Sequence, residues 1–175
     1  DSYDVCVYGG TASGVMAACA AAKEGAKVIV VEPSRWLGGM TGGGLMHIDW
    51  GREEAVSGST RPILKKDYND ARYRAVFAEM IKSAGVTVLF EHRVGAVEKP
   101  AGAIRAVSLD LAPFDETGCP PAAPTKAGAR VIEAKVFIDC SYEGDLMARS
   151  GVAYTFGREA KSTYGESLAG SQPPM

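Results

Sequence analysis

The chain has 175 residues, of which 46% are hydrophobic and 23% are charged, and its net charge is −2 at pH 7. These values are typical of a globular domain with its own core. The near-neutral charge argues against binding to nucleic acid, and no apolar run approaches the length of a membrane span. The four cysteines form neither a CxxC pair nor a zinc-binding spacing, so we expect no metal site.

The first third of the chain has the layout of a dinucleotide-binding βαβ unit. A glycine-rich turn separates a short apolar strand from an alanine-rich helix, and a second strand ends on an acidic residue. In order these are a strand at Val5 to Tyr8, a turn at 9–14, a helix at about Ser13 to Glu24, a strand at Lys27 to Val31, and Glu32.

Each part of this layout has a physical role. Gly9 allows a tight turn, Gly14 lets the helix approach the sheet, and the helix N-terminus attracts a pyrophosphate. Glu32 follows Gly14 by 18 positions, a spacing suited to a ribose hydroxyl. Thr11 replaces the usual middle glycine, and its hydroxyl is a candidate donor to a phosphate oxygen. The alternative is a βαβ crossover whose glycines only form a turn.

The remaining elements complete an α/β pattern. Residues 38–44 contain five glycines, which predicts irregular structure or, alternatively, a flexible linker. Apolar residues at helical spacing predict a helix that includes Tyr73 and Ala84, and Val86 to Phe90 is predicted as the third parallel strand. Antiparallel strands are predicted at Val94 to Glu98, Ile104 to Leu111 and Arg130 to Ile138, a loop at Pro113 to Gly128, a short helix near Gly144 to Asp145, and an irregular tail.

Four sequence segments carry a resemblance to a known family. They are Tyr8-Gly9-Gly10-Thr11 with Gly14; Glu32-Pro33 with Leu37-Gly38-Gly39-Met40-Thr41; Arg93-Val94; and Ile138-Asp139-Cys140-Ser141-Tyr142-Glu143-Gly144-Asp145-Leu146. With these segments the chain resembles FAD-dependent oxidoreductases of the glutathione-reductase-like flavoprotein class. Within that class it is most similar to the bacterial group labelled "xanthan lyase-like" FAD oxidoreductases.

The resemblance implies a fold and a domain organisation. The fold is a Rossmann-like FAD-binding domain with a parallel central sheet and a small antiparallel β layer. Residues 1–175 would be a partial FAD-binding domain, residues 94–138 its antiparallel β insertion, and the substrate domain would be absent from this chain.

The same resemblance implies roles for individual residues. Residues 9–14 would hold the pyrophosphate of FAD, Glu32 the AMP ribose, and residues 38–41 the path towards the flavin. Arg93 has the alternative of a solvated surface charge, and His47 is a weak catalytic candidate whose alternative is a polar loop position. The cofactor-binding set is Gly9, Gly10, Thr11, Ala12, Ser13, Gly14, Glu32, Pro33, Gly38, Gly39, Met40, Thr41, Arg93, Val94 (through its backbone, to adenine), Cys140 and Ser141.

The implied function is the FAD-binding portion of an FAD-dependent oxidoreductase that acts on a small organic substrate, for which a sugar-related compound is one option. A second polypeptide or a C-terminal remainder would complete the flavin site. Two alternatives stay open. One is a flavin- or nucleotide-binding subunit without chemistry of its own, and the other is an FAD-using lyase that acts on oxidised sugars.

Overall fold

The computed structural model describes residues 1–45, 51–65 and 67–170. Within these residues it contains one six-stranded sheet and five α-helical segments. The strands are β1 (Ser2–Tyr8), β2 (Val28–Glu32), β3 (Thr87–Phe90), β4 (His92–Glu98), β5 (Ala106–Leu111) and β6 (Lys126–Asp139). The helices are α1 (Ala12–Lys23), α2 (Gly39–Gly42), α3 (Asp70–Ser83), α4 (Asp145–Arg149) and α5 (Lys161–Tyr164). Short 3-10 turns occur at Glu53–Ala55, Gly58–Thr60 and Pro100–Gly102.

The sheet order is β3-β2-β1-β6-β5-β4, and its first four strands are parallel. Val7 of β1 lies opposite Val30 of β2 on one side and Ile138 of β6 on the other. Every residue of β2 is buried, as expected of a parallel strand that is covered on both faces. The predicted Rossmann-like α/β fold is therefore confirmed.

The antiparallel part is continuous with the parallel sheet rather than a separate sheet. β6 has 14 residues, and this length lets it pair with two different strands. Its C-terminal half runs parallel to β1, where Cys6 lies opposite Phe137, whereas its N-terminal half runs antiparallel to β5. β4 then pairs antiparallel with β5. The predicted strand at Arg130 to Ile138 is thus antiparallel to one neighbour and parallel to the other.

Two apolar cores lie on opposite faces of the sheet. One packs α1 and α3 against β1 and β2 through residues such as Val15, Val30 and Phe77. The other packs the antiparallel strands over the opposite face, where Val94 and Leu109 join Cys6, Ile29 and Leu146 of the same cluster. The antiparallel strands therefore act as the predicted covering layer.

The helices follow their sequence signals. Asn69 begins α3 as its N-cap because its side-chain Oδ1 accepts from the N–H of Arg72 at 2.9 Å. The predicted helix in this region is confirmed, and Tyr73, Phe77 and Ile81 form its buried face. Among the described residues, no helix is long and apolar enough to cross a membrane.

One prediction about the glycine-rich segment is wrong. Residues 39–42 form a helical turn instead of irregular structure. The turn closes through a hydrogen bond of its own and is held by a side chain of α3. The N–H of Gly42 donates to the carbonyl of Gly38 at 3.2 Å, and the Arg74 guanidinium donates to the carbonyl of Gly42. Tertiary contacts thus offset the low helix propensity of glycine. The tail, predicted to be irregular, contains the single turn α5.

Candidate functional site

A cleft of about 640 Å³ opens at the carboxyl ends of the parallel strands. Its lining includes Tyr8 and Glu32, which are the last residues of β1 and β2, and Val94, which lies in β4. Gly9 and Ser141, which come shortly after β1 and β6, also line it. Open α/β sheets bind their ligands at this edge, and the volume lies within the range of small-molecule sites. The cleft is therefore the candidate ligand site.

The glycine turn between β1 and α1 is tightly packed. Gly9 has φ +96°, and a Cβ at this position would lie 2.8 Å from backbone atoms of Cys140. A Cβ on Gly14 would lie 1.9 Å from the carbonyl oxygen of Gly9. Both glycines are therefore needed, because the turn, the helix and the end of β6 meet without space for a side chain.

Thr11 is the N-cap of α1. Its Oγ accepts from the N–H of Gly14 at 3.2 Å and donates to the carbonyl of Cys140 at 2.9 Å. A hydroxyl has one proton, so this proton links the turn to β6. The Thr11 hydroxyl therefore has a capping role in this structure, and its predicted donation to a phosphate stays a prediction.

Glu32 holds two backbone segments together at the floor of the cleft. Only 7% of its surface is exposed. One carboxylate oxygen accepts from the N–H of Gly10 at 2.6 Å, and the other accepts from the N–H of Ser34 at 2.7 Å. Each oxygen can accept more than one hydrogen bond, so the carboxylate keeps capacity for a ligand hydroxyl.

The second glycine segment lies against the first. The N–H of Gly38 donates to the carbonyl of Gly10 at 2.7 Å. The N–H of Met40 donates to the hydroxyl of Tyr142 at 2.7 Å, which ties α2 to the loop before α4. The two glycine segments and the β6 loop thus form adjoining walls of one cleft.

The start of β4 contributes Arg93 and Val94. The backbone N–H of Val94 donates to the hydroxyl of Tyr8 at 3.3 Å, so this donor is already engaged. Burial raises the pKa of Tyr8 to about 12, which keeps the hydroxyl protonated at neutral pH. The Arg93 guanidinium donates to the carbonyls of Pro121 and Ala122. It is therefore not the freely solvated charge that was the alternative prediction.

Asp139 organises the end of β6. One oxygen of its carboxylate accepts from both the N–H and the hydroxyl of Ser141, and the other accepts from the N–H of Met147 at 2.8 Å. The adjacent Cys140 is half-buried, and burial raises the pKa of its thiol. This loop is therefore fixed in place, and its thiol stays protonated at neutral pH.

The predicted cofactor-binding residues fall into three groups. Four of them line neither of the two cavities described here: Gly10, Gly14 and Gly38, which are buried, and Cys140, which is half-buried. Three line a second cavity of about 330 Å³, namely Ala12, Ser13 and Thr41. The remaining nine line the cleft itself: Gly9, Thr11, Glu32, Pro33, Gly39, Met40, Arg93, Val94 and Ser141. The catalytic candidate His47 lies outside the described residues.

Sequence reasoning missed most of the aromatic and several of the charged residues of the cleft. Trp36, Phe114 and Tyr142 supply apolar wall, and Asp145 and Arg149 of α4 also line the cleft. Trp36 and Tyr142 follow strand ends closely, which is a usable signal. Phe114 had no such signal, because its position depends on how the loop after β5 folds back.

Comparison with known proteins identifies the family. The family model described as FAD dependent oxidoreductase matches residues 4–175. The chain belongs to the FAD dependent oxidoreductase family. The predicted cofactor, FAD, is thereby confirmed. Among the described residues, no group of three or more His, Cys, Asp or Glu side chains has a geometry suited to a metal ion.

Similar proteins support the same fold for this FAD dependent oxidoreductase family member. The vinyl phenol reductase of Lactiplantibacillus plantarum is 37% identical over 79 residues, covering 43% of this chain and 16% of the reductase. Thermovibrio ammonificans THI4 superposes with a TM-score of 0.57 at 20% identity, over 87% of this chain and 64% of that one. Pseudomonas aeruginosa pqsL, a probable FAD-dependent monooxygenase, has a TM-score of 0.56 at 18% identity, over 91% and 48%. The chain thus spans less than two thirds of each relative.

The cleft of this family member suits the AMP half of FAD. A buried carboxylate, Glu32, lies at one end, and the N-terminus of the 12-residue helix α1 lies beside Gly9. The carboxylate can accept hydrogen bonds from hydroxyl groups, and the helix N-terminus favours negative charge. Aromatic walls from Trp36 and Phe114 provide apolar surface for a base.

Proposed function

We propose that this chain is the FAD-binding portion of a flavin-dependent oxidoreductase that acts on a small organic substrate. The sequence motifs favour the glutathione-reductase-like class and its xanthan lyase-like branch. The observation that carries the proposal is the buried Glu32 carboxylate at the floor of a cleft formed by the strand ends and the α1 N-terminus. This combination matches a ribose next to a pyrophosphate.

Each part of the cleft has a role in this proposal. Glu32 accepts from a ribose hydroxyl while it keeps Gly10 and Ser34 in position. The start of α1, marked by Gly9 and the N-cap Thr11, faces the pyrophosphate, and the α2 turn continues the wall towards the flavin. FAD, when bound, supplies the site that accepts or donates hydride. The residues of this chain bind and orient it, and no residue described here is assigned to substrate chemistry.

The substrate class is also a proposal. The similarity to a vinyl phenol reductase supports the reduction of a small organic molecule, although it covers only 43% of this chain. The sugar-related alternative derives from the resemblance to the xanthan lyase-like branch. Both classes therefore belong in a substrate screen.

We also propose that a second polypeptide, or a C-terminal remainder of the same one, completes the flavin site. The segment after α4 presents aromatic residues to solvent: Tyr154 is 53%, Phe156 90% and Tyr164 72% exposed. Exposed apolar surface of this kind usually belongs to an interface. This chain covers less than two thirds of the length of each relative, which supports the proposal that further polypeptide completes the flavin site.

Flavin absorbance of the purified protein tests the function. In native material, which includes the proposed second polypeptide or C-terminal remainder, we expect the two visible bands of oxidised flavin after gel filtration, and we expect them to bleach with dithionite and with the true reducing substrate. Phenolic, sugar and nicotinamide compounds form the screen. Absence of bound flavin after reconstitution with FAD would contradict the proposal.

The same experiment separates the two alternatives. Bound flavin that dithionite bleaches but that undergoes no redox change with any substrate supports a non-catalytic binding subunit. Conversion of an oxidised sugar without net flavin reduction or oxygen consumption supports an FAD-using lyase. Product analysis by mass spectrometry distinguishes these two results.

A further inference from the structure

The connection between β5 and β6 is a proline-rich loop, residues 112–125, with its own internal structure. One carboxylate oxygen of Asp115 accepts from the N–H groups of Thr117 and Cys119 and from the Thr117 hydroxyl. The N–H of Gly118 donates to the carbonyl of Asp115 at 3.1 Å. These bonds lower the pKa of Asp115, with the Cys119 N–H as the largest cause. The tip of the loop is therefore a preformed turn at neutral pH.

Arg35 anchors the first part of this loop. Its guanidinium donates to the carbonyls of Phe114 and Asp115, and its Nε lies 3.9 Å from the Glu91 carboxylate. The neighbouring Trp36 packs edge-to-face on Phe114, with ring centroids 6.5 Å apart. The segment that follows β2 thus contacts the loop through both a charge and an aromatic ring.

Arg93 anchors the second part. Its two terminal nitrogens donate to two successive carbonyls, those of Pro121 at 2.9 Å and Ala122 at 3.1 Å. A planar guanidinium can make this pair of bonds, and a lysine ammonium cannot reproduce its geometry. Proline lacks an N–H, so the loop has few donors with which to hold itself at this point.

The anchored loop forms a wall of the cleft. The side chains of Phe114 and Pro120 line the same cleft as Glu32 and Val94. Arg35 follows the end of β2, whose last residue is Glu32, and Arg93 is the second residue of β4. The anchors therefore hold the loop on the side of the cleft that Glu32 and Val94 line.

We propose that Arg35 and Arg93 are positioning residues that hold the proline-rich loop over the Glu32 end of the cleft, and that this loop retains the adenosine half of the cofactor. The inference rests on the proposed function, in which Glu32 binds the AMP ribose. The loop supplies the apolar face for the base, and the two arginines keep that face in place by donating to backbone carbonyls of the loop.

Ligands that represent each half of FAD provide the test. ADP carries the adenosine and the pyrophosphate, and FMN carries the flavin with one phosphate. Binding of ADP, FMN and FAD is measured by calorimetry on the apoprotein together with its proposed second polypeptide or C-terminal remainder, for the wild type, Arg35→Lys, Arg93→Lys and the double variant. Arg105→Lys is the control, because Arg105 is an exposed arginine that precedes β5, whereas the loop follows it.

We expect each single lysine variant to bind ADP and FAD about tenfold more weakly, since the charge is kept but the paired anchor is lost. FMN affinity and the unfolding midpoint should stay at the wild-type values. The double variant should lose less than the product of the single losses, because both residues hold one loop. Arg105→Lys should match the wild type.

Phe114→Ala keeps both arginines and removes the aromatic side chain that the loop presents to the cleft. It therefore tests whether the loop retains the adenosine half even if a lysine variant is unstable. It should show the same selective loss of ADP. Unchanged ADP affinity in Arg93→Lys and Phe114→Ala, or equal losses of ADP and FMN, would overturn the inference. Failure of the wild type to bind ADP and FAD would instead refute the proposed function.

Discussion

At the scale of a single residue, Glu32 has a structural role and, in the proposed function, also binds the ribose. Its two oxygens already accept from backbone N–H groups, so the proposal predicts that its removal affects both the cleft floor and ribose binding. We expect Glu32→Ala to weaken FAD binding by about 1–3 kcal/mol, the usual cost of losing a charged hydrogen-bond partner. The unfolding midpoint should fall as well, because two buried donors lose their acceptor.

Fluorescence quenching of FAD measures this loss of affinity. Glu98→Ala is the matched control, since Glu98 is an exposed acid at the far end of β4. An FAD affinity in Glu32→Ala equal to that of the control would show that Glu32 does not contact the cofactor.

The free thiols differ in their environments. Burial raises the pKa of Cys140 above its ordinary value and that of Cys6 to about 12, whereas Cys119 is exposed. Because the thiolate is the reactive form, a raised pKa slows alkylation near neutral pH. We expect iodoacetamide at about pH 8 to modify Cys119 first. Peptide mass spectrometry over time gives the order, and equal rates for Cys119 and Cys140 would contradict this assignment of the two environments.

Some single-residue features of the site could be predicted from the sequence, and others could not. The tight turn at Gly9 and Gly14 was predicted from the sequence and is present in the structure, because the spacing of glycines along the chain encodes local geometry. The hydrogen-bond acceptors of the Thr11 and Arg93 side chains could not be predicted from the sequence. Both side chains bind carbonyls 28 or more positions away, and only the folded topology brings those groups together.

At the scale of elements, the β1–α1 turn is the tightest packing at the site. A Cβ on Gly14 would overlap the carbonyl oxygen of Gly9. We expect Gly14→Ala to lower the free energy of unfolding by at least about 1–3 kcal/mol, as overpacking does, and Gly14→Val to yield unfolded protein or apoprotein.

Urea unfolding with and without FAD measures the effect. Gly51→Ala is the control, since a Cβ there would meet no atom of the described residues within 4 Å. A Gly14→Val protein that is stable and retains FAD would show that this turn is not where the pyrophosphate binds.

Elements were predictable where a local pattern determines them. α3 and the parallel strands follow from apolar periodicity, and their positions agree with the structure. The helical turn α2 could not be predicted from the local sequence, because its glycine-rich backbone is held by hydrogen bonds with the distant side chains of Arg74 and Tyr142. The double pairing of β6 did not follow either, since the two partners of a strand are a property of the sheet rather than of the strand.

For the whole molecule, the proposed assembly makes a separate prediction. The exposed aromatic residues after α4 should become buried against a second polypeptide or the C-terminal remainder. The interface should exceed roughly 2,000 Å² of buried surface, as permanent assemblies do. Size-exclusion chromatography and intact mass spectrometry of native material measure this. A monodisperse 18.3 kDa monomer that keeps FAD through gel filtration would contradict the prediction.

The most direct test of the central claim is a crystal structure of the protein with ADP. We predict the ribose within hydrogen-bond distance of the Glu32 carboxylate, the pyrophosphate at the N-terminus of α1, and the adenine beside Phe114. Clear density for ADP elsewhere, with Glu32 contacting only Gly10 and Ser34, would contradict the assignment of this cleft to the AMP half of FAD.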